Sequence, residues 1–389
     1  MRGRVGYILC VLVAAGFGSA PLMAQGTISS AEGEHARLSH DHLAGIRPLL
    51  QSYVDDGRMS GFVSLVAHKG QIVHFDAIGY QDIAAQAPMQ RDTLFRIYSM
   101  TKPVTAIALM QLYEQGHFDL DDPVSQFIPA FANLKVYNGN AVTADGQEIM
   151  QLDDLDRAIT IRDVLRHASG LSYGLFSVTP VDQMYHDTRI LDRDLTLEET
   201  VTRLTDIPLL DQPGTTYRYS VGMEVAAHLV EILSEQSFDQ YLKEHVFDPL
   251  NMVDTGFYVS ESQFSRLATV YRPAASDALV NAGYYAEERF AELLPDDQQN
   301  TLVETPYVWA NEFTTKPAFF SGSHGLLSTV PDYYRFAQML LNKGELDGAR
   351  IIGEDTLDMM LQSQLSDGSG FEKAWPGYMM GLGLLILQD

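Results

Sequence analysis

The sequence predicts an α/β (α+β) fold of two lobes: a sheet fed by both ends of the chain, with a mostly helical lobe inserted between them. Three observations carry this expectation. A chain of 389 residues with 46% hydrophobic content can bury more core than a single lobe usually holds. Runs of β-branched and aromatic residues lie near the two ends. From Ser99 to about Leu361, apolar residues recur instead at helical spacing. The boundaries follow as residues 25–95 and 375–389 for the sheet lobe and 96–374 for the helical lobe, with one domain over 40–389.

Taken in order, MRGR, the apolar run VGYILCVLVAAGFGSA and PLMA before Gln25 have the layout of a secretory signal over residues 1–24, cleaved after Ala24. The run is shorter than the roughly 20 apolar residues a spanning helix needs, so export to a periplasm or the exterior is expected, without stable membrane insertion. Cys10 is the one cysteine and leaves with the signal. The mature chain then has no disulfide, cysteine nucleophile or thiolate metal site. The net charge is −25, and removing Arg2 and Arg4 makes it more negative still. Nucleic acid and anionic lipid are repelled by such a surface.

A helix is expected around residues 40–55. The segment GFVSLVAHKGQIVHFDAIGYQD reads as a hairpin turning at His68 to Gln71. Helices follow at TIRDVLRHAS, with a capping box of Thr160 and Asp163, at SVGMEVAAHLVEILSEQ and at TVPDYYRFAQMLLNKG. YMMGLGLLILQD returns to strand.

The chemistry is concentrated in FRIYSMTKPVTAIALMQLYEQG. Pro103 is tolerated in a first helical turn, so a helix starts near Ser99; it is apolar on nearly every side and stops at Gly116. Residues three apart share a helical face, which brings the Lys102 amine beside the Ser99 hydroxyl. A serine is a weak nucleophile until a base takes its proton, and a lysine with a pKa of about 10.4 is a poor base near neutrality. Burial lowers that pKa, and an apolar helix with one amine at its start supplies the burial. A backbone N–H at the same helix start can polarise a carbonyl oxygen.

FRIYSMTKP resembles the first motif of the penicillin-recognising serine hydrolases, and the chain is most similar to class C β-lactamases and the family VIII carboxylesterases that share their fold. DDPVSQFIPAF, ITIRDVLRHASGLSYG, PGTTYRYSVGMEVAAHLVE, FDPLNMVDTGFYV and SGSHGLLSTVPDYYRFAQMLLNKGELDG all look like family segments in family order. The resemblance implies a β-lactamase/penicillin-binding-protein-like fold and three catalytic residues: Ser99 as nucleophile, Lys102 as base, and Tyr219, from the second motif Y-x-N, as its proton-relaying partner. Val221 stands where that motif has Asn. The loss of an amide that would hold a β-lactam side chain shifts the expectation toward esters.

The family's third motif, K-T-G, H-x-G or W-G-G, would follow GLGLLIL. Lys69-Gly70 and Lys343-Gly344 sit in turns, and His324, in GSHG, precedes the required region and is assigned to a glycine-rich turn. The family pattern therefore implies C-terminal strands missing after Asp389 and impaired acylation by this 389-residue form.

Other signals carry blander readings. GLSYG matches G-x-S-x-G around Ser172, but that motif needs a strand before it and a helix after it. His35, His40 and His42 lack metal-site spacing, and Asp121-Asp122 before Pro123 suits a turn. Asp153, Asp154 and Asp156 suit a polar loop. No cofactor and no metal are implied. The expected function is a serine hydrolase cleaving small esters through an acyl-enzyme. The alternatives are a β-lactamase or D-alanyl-D-alanine peptidase acting on amides, and a non-catalytic penicillin-binding-like protein or gene fragment. The partner is a small-molecule ester or amide.

Overall fold

A computed structural model describes residues 40–174, 179–273, 301–304 and 312–388, which fall into two compact units. Among the described residues no helix is long and apolar enough to cross a membrane. The proposed signal lies outside them.

The described residues of the first unit are 40–95, 262–273, 301–304, 312 and 329–331. Helix α1 (His40–Asp55) packs on the expected hairpin, β1 (Gly61–His68) and β2 (Gln71–Asp82), which a short β3 (Ala87–Pro88) extends in the order β1-β2-β3. The hairpin register runs from Gly61 opposite Gly79 to His68 opposite Gln71. Its two turn residues, Lys69 and Gly70, have φ of 52° and 77°, the pairing that matches a two-residue turn to the strand twist. Phe62, Val63 and Ile78 are buried, with Tyr53 of α1 edge-on to Phe62. Later chain returns to this unit through Thr269, whose N–H donates to the Gln81 carbonyl at 2.9 Å.

The second unit, residues 96–261, 313–328 and 332–389, is built around α2 (Thr101–Glu114). Val104 to Met110 are buried without a break, Thr105 included, so α2 is a core helix; its backbone leaves helical φ at Gly116, φ 78°. Around it lie α3 (Ile161–Leu165), α4 (Pro180–Asp187), α5 (Leu197–Leu204), α6 (Gly222–Ser234), α7 (Phe238–Leu242) and α8 (Val330–Leu341). The start of α3 carries the expected capping box, Thr160 accepting from the Asp163 N–H while Asp163 accepts from that of Thr160. Helix α6 packs on α2, α3, α5 and α7.

Two expectations change. The helical middle is interrupted by a hairpin, Lys135–Val142 paired with Glu148–Asp154, so Asp153 and Asp154 are strand residues and not loop. Its alternation is hidden because both faces carry polar side chains and the strand slips between Tyr137 and Asn140 around Gly139. The C-terminal segment forms two strands, Tyr378–Met380 and Leu385–Leu387, which pair with each other rather than in one sheet with β1 and β2. The turn between them packs inward: Leu382 is fully buried and the Gly383 N–H donates to the Leu165 carbonyl at the end of α3.

Candidate active site

Ser99 sits in a single 3-10 turn, Tyr98–Met100, that leads into α2. Tyr98 has φ 42°, a conformation that bulky side chains avoid, and this kink leaves Ser99 exposed while Lys102, one turn on, is only 4% exposed. The turn is anchored by the Ile97 N–H donating to the Leu326 carbonyl at 3.0 Å and by the Tyr333 hydroxyl donating to the Met100 carbonyl at 3.0 Å.

The structure brings the three expected side chains together. Lys102 Nζ lies 3.2 Å from Ser99 Oγ, and the Tyr219 hydroxyl lies 2.7 Å from the same oxygen. Tyr219 is placed by the chain just before α6: the Arg218 N–H donates to the His167 carbonyl and the Val221 N–H to the Ser172 carbonyl. Its ring is stacked on Tyr173, centroids 5.8 Å apart and planes 9° off parallel, and packs against His167 at 4.9 Å. Lys102 Nζ is 4.6 Å from the Tyr219 ring centroid and 5.4 Å from that of Tyr173. An aromatic cage thus surrounds the amine.

Burial governs the charges. It pushes the Lys102 amine down to about 7, against the opposing pull of the Glu224 carboxylate. Burial raises the Tyr219 phenol to about 12, offset in part by its hydrogen bond with Ser99. It also lowers His167 and His324 to about 3, with the Lys102 charge adding to both, so both imidazoles are neutral at physiological pH. Near neutrality the site therefore holds an amine that can accept a proton and a phenol that keeps its own.

Three further groups adjoin the trio that sequence reasoning had not placed there. The turn Ser321 to His324 meets α2, where Lys102 Nζ donates to the Ser323 carbonyl at 3.0 Å and Thr105 Oγ1 to that of Gly322 at 2.7 Å. His324 occupies the glycine-rich turn expected for it, yet its Nδ1 lies 3.0 Å from Ser321 Oγ and 3.5 Å from the Tyr173 hydroxyl, beside the amine's cage. Glu224 of α6 is fully buried behind the turn and accepts from Ser321 Oγ at 2.6 Å and the Gly322 N–H at 2.7 Å. The one signal for Glu224 was an acid within an otherwise apolar stretch, MEVAA.

The competing motifs are structural. Ser172 is buried, follows no strand, and donates to Asp182 Oδ1 at 2.7 Å, bracing the capped start of α4. Gly170 of the same motif has φ 83°, and a Cβ there would lie 2.1 Å from the Asp211 carbonyl oxygen, so its glycine serves a close backbone approach. Asp121 takes two hydrogen bonds from Arg162, and Asp122 accepts from the Asp119 N–H. His42 is exposed on α1, and His35 lies outside the described residues.

A buried amine one helical turn from an exposed serine, at the start of a core helix packed among other helices, is the arrangement of a serine hydrolase of the β-lactamase/penicillin-binding-protein type. The chain belongs to the Beta-lactamase family, whose model matches residues 46–387. It is 33% identical to Protein Rv1367c of Mycobacterium tuberculosis, over 90% of this chain and 80% of that protein. Esterase EstB of Burkholderia gladioli is 34% identical, over 85% and 76%. Among solved structures, EstCE1, described as a hydrolase with promiscuous acyltransferase activity, superposes with a TM-score of 0.68 at 28% identity, covering 90% of this chain and 84% of that one.

Proposed function

We propose that this serine hydrolase is a carboxylesterase that cleaves small esters through an acyl-enzyme on Ser99. The observation that carries the reading is the pair of contacts at Ser99 Oγ, to a buried lysine at 3.2 Å and a tyrosine at 2.7 Å. With Lys102 neutral, Ser99 Oγ attacks the carbonyl carbon as its proton passes to Nζ. The Ser99 N–H, in the 3-10 turn that leads into α2, is the donor assigned to the developing oxyanion. Collapse expels the alcohol, which takes the proton back from Lys102 by way of the Tyr219 hydroxyl. Water then attacks the acyl-enzyme in the mirror sequence, and the acid leaves.

Val221 supports esters over β-lactams. It is fully buried at the start of α6, where the family's second motif places an amide, so no side-chain amide is offered from that position to a substrate. The similarity to esterase EstB points the same way. The test is turnover of a short-chain aryl ester against a cephalosporin. The ester is expected to be the better substrate, with Ser99→Ala lowering its kcat/KM by about a thousandfold or more; preference for the cephalosporin contradicts the reading. Export on a signal of residues 1–24 remains part of the proposal, and N-terminal sequencing of the secreted protein, expected to begin at Gln25, checks it.

A further inference from the structure

Glu224 is a fully buried carboxylate of the second unit, on a helix whose other buried residues are apolar. An ionisable group is tolerated there only if its oxygens are hydrogen-bonded and an opposite charge is near. Both oxygens are used on a single turn. Oε1 accepts from Ser321 Oγ, and Oε2 from the Gly322 N–H. Ser321 Oγ in turn accepts from the N–H groups of Ser323 at 3.2 Å and His324 at 3.1 Å, so the carboxylate orders the turn directly at Gly322 and through the Ser321 hydroxyl beyond it. The turn lies hard against α6: a Cβ on Gly322 would come within 2.4 Å of the Met223 carbonyl oxygen and 2.6 Å of Ala227 Cβ.

The other face of this turn supplies the Ser323 carbonyl to Lys102 Nζ. A neutral acceptor would serve to order the turn, whereas a carboxylate also places a negative charge beside the one buried amine of the site. We propose that Glu224 is a positioning residue for Lys102: it fixes the carbonyl that aims the amine at Ser99, and its charge sets the pH at which that amine becomes a base. The inference rests on the acyl-enzyme reading of Ser99 and Lys102.

The titratable groups facing this pair are few. Helix α2 contributes Lys102 itself, the segment after α3 His167 and Tyr173, the approach to α6 Tyr219, and the turn His324, which also feels Arg193. Both histidines are neutral through the working range and both phenols keep their protons, which leaves Glu224 as the anion acting on Lys102. An anion favours the ammonium, so removing it makes Lys102 deprotonate at lower pH.

The experiment is the pH profile of kcat/KM for an aryl ester in Glu224→Gln and Ser321→Ala, with labelling of the unaltered protein by a fluorophosphonate as reference. Glu224→Gln is expected to move the ascending limb to lower pH by about one unit. It should also lower the plateau about tenfold or more through kcat, with KM little changed, because the turn loses an acceptor. Ser321→Ala keeps the carboxylate but removes a hydrogen bond that helps hold it ionised, so it is expected to lower the plateau and to move the limb in the same direction by less than Glu224→Gln. A folded Glu224→Gln whose limb coincides with the unaltered protein's overturns the proposal, whatever its plateau. Should that variant fail to fold, Glu224→Asp withdraws the charge by one methylene and must move the limb in the same direction by less; an unmoved limb there is equally fatal. If the unaltered protein carries no label on Ser99, the acyl-enzyme reading itself fails. Labelling on Ser99 with an unmoved limb defeats the role of Glu224 alone.

Discussion

At Lys102 stability and activity are in conflict. Its amine is lowered to about 7 in the folded chain, whereas an unfolded lysine titrates near about 10.4. Below the folded value both states hold the proton and the folded state bears the full cost of burying it. The cost is relieved only as pH rises toward the unfolded value, so at neutral pH the amine destabilises the fold. Lys102→Met, which keeps the length and removes the charge, is expected to raise the thermal midpoint at pH 7 while abolishing reaction of Ser99 with a fluorophosphonate; a lower midpoint would contradict the assignment. Ser99 and Lys102 are legible in the sequence because their spacing and their apolar surroundings state the chemistry together. Tyr219 is legible through its motif, being far away in sequence from both. Glu224 is not, since a single acid in an apolar run reads as a residue at the edge of the buried face until the turn it holds is seen.

Among the elements, α2 is readable because a core helix needs no polar face, and the hairpin β1-β2 because alternation and a turn signal coincide. The hairpin of residues 135–154 escapes for the opposite reason: Lys135, Asn138, Asn140 and Glu148 mix with Val136 and Ile149, and a bulge resets the alternation midway. The decisive element for the site is the turn 321–326, which has no periodicity at all. Its conformation comes from bonds with distant residues: Thr105 Oγ1 to the Gly322 carbonyl, the Leu326 N–H to Thr101 Oγ1, and the Glu224 carboxylate. Such a segment is specified by tertiary contacts, and local sequence records only its glycines. The same holds for GLSYG, whose glycines and serine satisfy backbone approach and a helix cap.

At the scale of the whole molecule, the buried ionisable groups set an acid limit. His167 and His324 have folded pKa values near about 3, below the roughly 6.5 of an unfolded histidine, so only the unfolded chain takes up their protons between these values. Their contribution to stability is whole above the unfolded pKa and is lost as pH falls through this window. Glu224, raised by burial, works in the opposite sense, but over the narrower interval above an unfolded glutamate and for one group against two. The thermal midpoint is therefore expected to fall steadily from pH 7 to pH 4, measured by circular dichroism at constant ionic strength; a flat profile would mean that these imidazoles are solvated. Constant salt matters because a chain of net charge −25 also changes its self-repulsion over this range.

Whether Ser99 is the nucleophile and Lys102 its base is decided by intact mass and peptide mapping after reaction with a fluorophosphonate across a pH series. One adduct is expected, on Ser99, forming at a rate that rises through pH about 7 with the deprotonation of Lys102. An adduct on Ser172, or a folded protein that takes no adduct at any pH, would contradict it.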